Sequence, residues 1–301
     1  MGEVLDSIKA LSKPLNTVIE KVSGAIGAWY EPTGIRRKAE AQADAQTIKE
    51  IQETGLTKEE LMALKKEATL SKRKIENRTA IMEQAIPMFD LKKANPDNVD
   101  PDWFMEFSER AGKVSNKELQ IIWAKILAGE VNKAGSFSLQ TLNTIALIDK
   151  RIAQNFEILL RFTSDDNNGR VVFWYMDDKR PDGYQLSYEE IIELQSLGIV
   201  EYNFSKWTRR TLNSEVKNFA YSFVGLAFVV EPKPETGNSL GIRSIETGNL
   251  LLTNTGEQLA SVCERQPDPI AFQFIISQLR KKGYVVQEIE SVNRKIGKPN
   301  I

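Results

Sequence analysis

The stretch VVFWYM, residues 171–176, marks the point at which the sequence changes from helical to β patterning. β-Branched and aromatic residues follow one another there without a polar interruption, which is typical of a buried strand. Gly169, two residues before the start of the stretch, supplies a turn. We therefore expect helices upstream of this stretch and a mixed α/β module downstream of it.

Upstream, residues 96–165 have the spacing of a small helical bundle. Asp100 can cap a helix whose first residue is Pro101. The run LQIIWAKILAGEV, residues 119–131, places apolar residues at steps of three and four, as a helix facing a core does. Trp123 lies within this run, and we expect it to be a core residue.

Downstream, residues 166–290 have the element order of a winged-helix-like α/β domain. A helix capped at Ser187 leads into a short strand at 199–202, and YSFVGLAFVVE, residues 221–231, is typical of a longer strand. LLLTNTGEQLASVCE, residues 250–264, indicates a strand, a tight turn and a helix. A further helix and a closing strand complete the domain. The sequence thus predicts a mostly α protein with a smaller α/β part.

Residues 35–95 form a separate segment with its own composition. They are rich in Ala, Glu, Lys, Gln and Arg, which favours long charged helices that act as a spacer. Apolar residues are too sparse in this segment for a sustained heptad seam. Residues 291–301 are interpreted as a tail.

The first segment, residues 1–34, carries an apolar stripe that predicts two amphipathic helices separated near Pro14. Its longest uncharged run, residues 22–30, is far below the roughly 18 to 20 residues that cross a bilayer. The stripe must be buried against the protein's own core, a second copy of the chain or a membrane surface. The residues predicted to make the membrane or oligomer contact are Ile8, Leu11, Leu15, Val18, Ile19, Val22, Ile26, Trp29, Tyr30, Arg36 and Arg37.

The charge balance and residue content exclude several functional classes. With 40 basic and 41 acidic residues, the formal net charge is −1, so attraction to nucleic acid or lipid must come from local clusters. The chain has no histidine, the commonest general base and metal ligand, so catalytic triads and zinc sites are not expected. A single cysteine, Cys263, excludes an internal disulfide, and we interpret it as a buried small hydrophobe.

These absences favour a protein that is not an enzyme and that holds no metal or cofactor. The acidic pairs Asp165–Asp166 and Asp177–Asp178 lie among turn residues, and we interpret them as solvated turns or N-caps rather than cation ligands. The N-terminus has no signal peptide with a cleavage site, which indicates a cytoplasmic location, with peripheral contact at the inner membrane as an option.

The stretch KWTRR, residues 206–210, is the candidate for nucleic-acid contact. It places Trp207 among Lys206, Arg209 and Arg210, and an aromatic ring among cations can stack on a base and bind phosphate. The same pattern is common in solvated loops and salt-bridged helix ends. The predicted helix YEEIIELQ is acidic, which favours a protein partner over nucleic acid for the winged-helix-like domain.

Three separated blocks resemble a known family. They are VIEKVSGAIGAWYEPTGIRRKAEAQA (18–43), DPDWFMEFSERAGKVSNKELQIIWAKILAGEVNKAGSFSLQTL (100–142) and LLTNTGEQLA (251–260). Together they resemble a bacterial family known as domain of unknown function 2806. The resemblance covers most of the chain and implies family membership, but it carries over no activity.

A looser resemblance is to the abortive-infection alpha proteins. Its blocks correspond here to Trp29 with Arg36 and Arg37, to residues 119–128 and to residues 252–259. This resemblance implies a role in bacterial defence against phage, and it implies no catalytic residue.

The sequence as a whole predicts a self-associating homo-oligomer that engages a membrane or a protein partner through its N-terminal helices. In this interpretation the charged helices are a spacer and the C-terminal domains are a sensor or a binding platform. The alternative is a nucleic-acid-binding or regulatory protein that acts through the winged-helix-like domain.

Overall fold

The structure is a computed structural model that describes residues 58–90, 92–166, 169–211, 218–234 and 243–289. Contacts between Cα atoms divide the chain into two compact units, Met1–Leu142 and Asn143–Ile301.

The described part of the first unit is helical. Its elements are α1 (Lys58–Ala85), two 3₁₀ turns (Ile86–Met88 and Pro96–Asn98), α2 (Pro101–Ala111) and α3 (Lys117–Asn132). The short helix α4 (Leu139–Ile145) contains the boundary between the two units. As predicted, α2 begins at Pro101 and is capped by Asp100, whose carboxylate accepts the backbone N–H groups of Asp102 and Trp103. The N-cap leaves the first turn of α2 without unsatisfied donors at these two positions.

Aromatic side chains fill the core between α2 and α3. The Trp103 and Phe107 rings stack with centroids 5.2 Å apart, and Phe107 lies 5.3 Å from Trp123. Trp123 is 1% exposed, which confirms its prediction as a core residue. The indole N–H of Trp103 donates to the Phe137 carbonyl over 2.8 Å, so this buried donor is satisfied.

The second unit alternates helices and strands along the chain. Its elements are α5 (Lys150–Arg161), β1 (Thr163–Asp166), β2 (Gly169–Val172), α6 (Tyr188–Ser196), β3 (Val200–Thr211), β4 (Phe219–Phe223), β5 (Leu226–Val230), β6 (Lys233–Pro234), β7 (Arg243–Leu252), α7 (Asn254–Val262), α8 (Pro269–Lys281) and β8 (Val286–Ile289).

The strands form two antiparallel sheets. One has five strands in the order β2-β1-β4-β5-β8, and the other has three in the order β3-β7-β6. One face of the five-stranded sheet packs on α8, where the Phe272 ring lies 5.8 Å from that of Phe228. The short segment after β2 reaches the second sheet through a single parallel bridge between Trp174 and Gly248.

The prediction of a mostly α protein with a winged-helix-like domain is wrong. The described residues form a mixed α/β fold with eight α-helices and eight strands. The five-stranded antiparallel sheet has no counterpart in the predicted element order. It arises because pairs such as β1 with β4 and β5 with β8 join strands that are distant in sequence, and local patterns do not encode such pairing.

Two strand predictions change for identifiable local reasons. The run YSFVGLAFVVE folds into a hairpin of β4 and β5 rather than one strand, because Gly225 has a φ of 72° and forms the turn. In VVFWYM the regular strand β2 ends at Val172, and Trp174 pairs instead with Gly248.

The outer edge of β8 is covered by the protein's own side chain. The backbone N–H of Glu231 donates to the Val285 carbonyl. Successive carbonyls along an antiparallel strand point to opposite sides, so the Val286 carbonyl points away from β5. A guanidinium N–H of Arg280 donates to that carbonyl over 3.0 Å. One backbone acceptor on this edge is therefore already hydrogen-bonded within the chain.

Candidate functional site

Lys206 lies in an irregular part of β3. Tyr202 pairs with Leu250 and Trp207 with Gly248, so residues 203–206 of β3 bulge opposite a single residue of β7. The φ of Lys206 is 62°, and it is the one non-glycine residue with positive φ among those that the structure describes. A residue with a Cβ rarely adopts this conformation, and such outliers concentrate at functional sites.

Asn249 holds this bulge in place. It is 4% exposed, and its amide donates to the Asn203 carbonyl over 2.9 Å. Its amide oxygen accepts the backbone N–H of Met176 over 3.0 Å, and its backbone N–H donates to the Trp174 carbonyl over 2.6 Å. One buried side chain thus ties the bulge of β3 to the segment that follows β2.

Three aromatic side chains, Tyr188, Tyr202 and Phe204, form what we call the aromatic row. Phe204 is 78% exposed, and its ring centroid lies 4.8 Å from that of Tyr202. The Tyr202 ring lies 5.8 Å from that of Tyr188, which is the first residue of α6 and is also exposed. The row begins at α6, follows β3 and ends two residues before Lys206.

Beyond Lys206, two buried tyrosines meet at the backbone of Glu246. The Tyr175 hydroxyl donates to the Glu246 carbonyl over 2.5 Å, and the Glu246 backbone N–H donates to the Tyr284 hydroxyl oxygen over 3.1 Å. Burial raises the pKa of both phenols, so both are neutral at physiological pH. With both hydroxyls bound to one residue, the two rings have fixed positions.

Three lysines surround these rings, and we call Lys206, Lys233, Lys282, Tyr175 and Tyr284 the lysine–tyrosine cluster. The ammonium nitrogens of Lys282 and Lys206 lie 4.0 Å and 6.0 Å from the centroid of the Tyr175 ring. Lys233 lies 4.5 Å from the Tyr284 centroid. These are cation–π distances, which hold an ammonium group without neutralising it.

Carboxylates neutralise this cluster only in part. The Lys206 ammonium lies 3.7 Å from the Glu246 carboxylate, and both side chains are partly exposed, so the pair contributes little. Among the residues that the structure describes, no carboxylate oxygen lies within 4.0 Å of the ammonium nitrogen of Lys233 or of Lys282. The cluster is therefore a positively charged surface.

Asp178 is the other acid beside the cluster. Burial raises the pKa of its carboxyl group, and the nearby cations Lys282, Arg180 and Lys281 oppose this rise. Its Oδ2 atom is buried and has no hydrogen-bond partner among the described residues. The Asp178 side chain is half-buried, which differs from the solvated position expected of it as a turn or N-cap residue.

The structure places the residues of KWTRR in different environments. Lys206 joins the cluster, whereas Trp207 is half-buried with its indole nitrogen out of contact with solvent. Arg209 and Arg210 lie on β3 opposite Ile245 and Ser244, and their side chains are outside the description. The exposed ring beside the cation is that of Phe204 rather than Trp207.

Sequence reasoning missed most of this surface. Phe204 and Tyr202 alternate along β3 on either side of Asn203, which is a period-2 signal, but the predicted strand ended at residue 202. Lys233, Lys282 and Tyr284 come from distant segments, so no local motif groups them with Tyr175.

Three further predictions concern the N-terminal contact residues, Asp165 and Cys263. All of the predicted membrane or oligomer contacts, from Ile8 to Arg37, lie outside the described residues. Asp165 lies on β1 and pairs with Arg265 and Arg170, so it is a structural ion-pair residue rather than part of a solvated turn. Cys263 is half-buried rather than buried.

None of the helices in the described ranges has both the length and the apolar character needed to cross a membrane. Within the same ranges, no three acidic or thiol side chains converge as metal ligands.

Comparison with known protein families gives a match. Residues 62–273 match the model of a family described as "Protein of unknown function (DUF2806)". No curated protein and no solved structure matches the chain. The family resemblance predicted from the sequence is thus confirmed, and the looser one to the abortive-infection alpha proteins stays a prediction.

Proposed function

The chain belongs to the DUF2806 family, whose description gives no activity, and we propose from the geometry of its second unit that it binds nucleic acid with unpaired bases. The observation that supports this proposal is the aromatic row leading directly into the lysine–tyrosine cluster. Phe204, which is the most exposed ring of the row, and Lys206 lie on the same bulge of β3.

The aromatic row suits the bases of a single strand, and the lysine–tyrosine cluster suits its phosphates. Bases that are not paired can stack on exposed aromatic rings, and each such contact contributes about 1 to 3 kcal/mol. Ammonium groups replace the counterions of phosphates, which gives affinity without sequence readout. In a duplex the base faces are already stacked on each other, so this surface favours single strands, loops or unpaired ends.

A protein partner explains the surface less well. Exposed aromatic rings are also common at protein interfaces. A protein partner would need carboxylates placed opposite Lys233 and Lys282 to restore the interactions that these ammonium groups lose on leaving water. A phosphate restores those interactions through charge-assisted hydrogen bonds.

The same geometry supports binding rather than catalysis. The hydroxyls of Tyr175 and Tyr284 are bonded to the Glu246 backbone, and burial raises their pKa away from the range useful for proton transfer. The residues that approach the ligand are therefore rings and cations.

The test is fluorescence anisotropy with the full chain and a short labelled single strand of mixed sequence. We expect binding that weakens as salt rises, and weaker binding to the matching duplex. Phe204→Ala should reduce affinity by roughly 5- to 100-fold because one stacking platform is lost. Lys206→Ala should lower both the affinity and the slope of its salt dependence.

Ile270→Ala is the matched control, because Ile270 is also a large exposed apolar residue of the second unit but lies on α8. It should leave binding unchanged. If the wild type shows no binding at low salt, or if Phe204→Ala binds as Ile270→Ala does, the proposal is wrong.

The roles predicted for the N-terminal segment are separate from this proposal. Self-association or membrane contact through residues 8–37 and a role in phage defence stay predictions, because neither rests on the described residues. A nucleic-acid-binding unit is compatible with both.

A further inference from the structure

We propose that the lysine–tyrosine cluster binds the terminal phosphate of the strand, so that the protein recognises phosphorylated ends. This inference rests on the proposed function. It goes further because it assigns different tasks to the two parts of the surface: the aromatic row takes bases, and the cluster takes a phosphate monoester.

The first argument is charge. A phosphodiester within a strand carries one negative charge, whereas a terminal monoester carries about −1.5 to −2 at pH 7. The cluster presents the three ammonium groups of Lys206, Lys233 and Lys282 against two nearby acids, Glu246 and Asp178, and in the described ranges only Lys206 has a carboxylate within 4.0 Å. A site with this surplus of positive charge favours the dianion over the monoanion.

The second argument is the way in which the ammonium groups are held. Lys282 lies over the Tyr175 ring and Lys233 over the Tyr284 ring, and both rings are buried. Lys233 also donates a hydrogen bond to the backbone carbonyl of Lys282, which ties the Lys233 ammonium group to the backbone of that residue. Rings position these groups without using up all of their N–H donors, so the donors remain for a ligand oxygen.

The third argument is position. Along β3, Tyr202 and Phe204 precede Lys206, and the row extends from Tyr202 back to Tyr188 on α6. Lys206 is followed in space by Tyr175 and Lys282. The cluster thus lies at one end of the row, within reach of the terminal phosphate of a strand whose last bases stack on the rings.

The experiment compares three labelled oligonucleotides of one sequence: one with a 5′-phosphate, one with a 3′-phosphate and one with neither. Binding to the wild-type full chain is measured by anisotropy at fixed salt. One phosphorylated end should bind at least about tenfold more tightly than the unmodified strand, the effect expected for one charge-assisted hydrogen bond. The preference should shrink below pH 6, where the monoester loses its second charge.

Variants of the cluster identify the site. Lys282→Met keeps the aliphatic stem against Tyr175 and removes the charge, and Lys233→Ala removes the second cation. Each should abolish most of the preference for the phosphorylated end while weaker binding to the unmodified strand persists. Lys179→Ala removes an exposed lysine outside the cluster and should retain the preference.

The outcomes separate the two proposals. Equal binding of all three oligonucleotides overturns the end-recognition proposal and leaves the proposed function standing. No binding of any oligonucleotide overturns both. Competition by inorganic phosphate or a mononucleotide as strong as that by the phosphorylated strand also overturns end recognition, because the site would then serve a free phosphate compound.

Discussion

A Cβ atom at Gly248 would lie 2.1 Å from the carbonyl oxygen of Trp174. The two residues form the parallel bridge between β7 and the segment after β2, and Gly248 has a φ of 127°. Glycine is needed here for both backbone conformation and space. The close contact between the backbones of Gly248 and Trp174 positions the next residue, Tyr175, whose ring lies at the centre of the lysine–tyrosine cluster.

Gly248→Ala should therefore reduce the free energy of unfolding by about 3 kcal/mol, because the new methyl group must displace a backbone carbonyl. Urea unfolding followed by tryptophan fluorescence measures this loss. Gly183→Ala is the control, since Gly183 also has a positive φ, 82°, but no heavy atom lies within 4 Å of its added Cβ. It should cost only about 1 kcal/mol; equal losses would contradict the steric argument.

Asn249→Ala should affect both stability and binding. The substitution leaves the Met176 N–H and the Asn203 carbonyl without their side-chain partner, which costs about 2 kcal/mol. Because the bulge of β3 is then no longer tied to the segment after β2, affinity for a single strand should fall at temperatures where circular dichroism shows a folded protein. Unchanged affinity in a folded Asn249→Ala variant would show that the bulge is not maintained by this residue.

Arg180→Lys should destabilise the second unit. Arg180 is 6% exposed, its guanidinium lies 3.4 Å from the Trp174 ring centroid, and it donates to the Tyr175 carbonyl over 2.7 Å. Burial lowers its pKa to about 10, so it stays charged at neutral pH. An ammonium group cannot stack in this plane, and we expect a loss of about 2 kcal/mol in urea unfolding. The exposed neighbour variant Lys179→Arg should be neutral, and a neutral Arg180→Lys would disprove the stacking argument.

Asp178→Asn tests the half-buried acid by its pH dependence. Because burial raises the folded-state pKa of this carboxyl group above 3.8, its stabilising contribution is fully present below pH 3.8 and is lost as pH rises through the folded pKa. The amide should therefore make the protein more stable than wild type at pH 7 and give no advantage below pH 3.8. Urea unfolding of the wild type and of Asp178→Asn at both pH values measures the difference in stability, and the exposed Asp177→Asn is the control. If Asp178→Asn is less stable than the wild type at pH 7, the prediction is wrong.

Removal of residues 1–30 tests the predicted role of the apolar stripe. If the stripe is a surface for another copy of the chain or for lipid, the truncated protein should have a lower mass in solution or should no longer sediment with liposomes. Light scattering with and without detergent and liposome co-sedimentation provide the two measurements. Identical results for the full and truncated chains would contradict the predicted role of the stripe in self-association or membrane contact.

Local signals allowed several elements to be predicted from the sequence. Asp100 and Ser187 are N-caps as expected, and Asp268 caps α8, because a cap depends on side chains within three residues of the helix start. The burial of Trp123 follows from helical periodicity in the same way. These features needed no knowledge of the remaining chain.

The sheets and most of the candidate site could not be predicted, because they depend on contacts between distant segments. Tyr175 and Tyr284 meet only because both reach the backbone of Glu246. The stretch KWTRR pointed to Lys206 but gave no sign that the strand around it bulges, or that Phe204 would be the exposed ring. A bulge is set by pairing with β7, and a single strand does not encode it.

The bond from Arg280 to the Val286 carbonyl has a consequence for behaviour at high concentration. An edge strand with unpaired backbone groups can template fibril growth. On β8 one of those groups, the Val286 carbonyl, already accepts a hydrogen bond from Arg280. A net charge of −1 provides almost no colloidal repulsion between molecules. The hydrogen bond from Arg280 therefore contributes to the resistance of this edge to fibril formation, which the charge of the whole protein does little to provide.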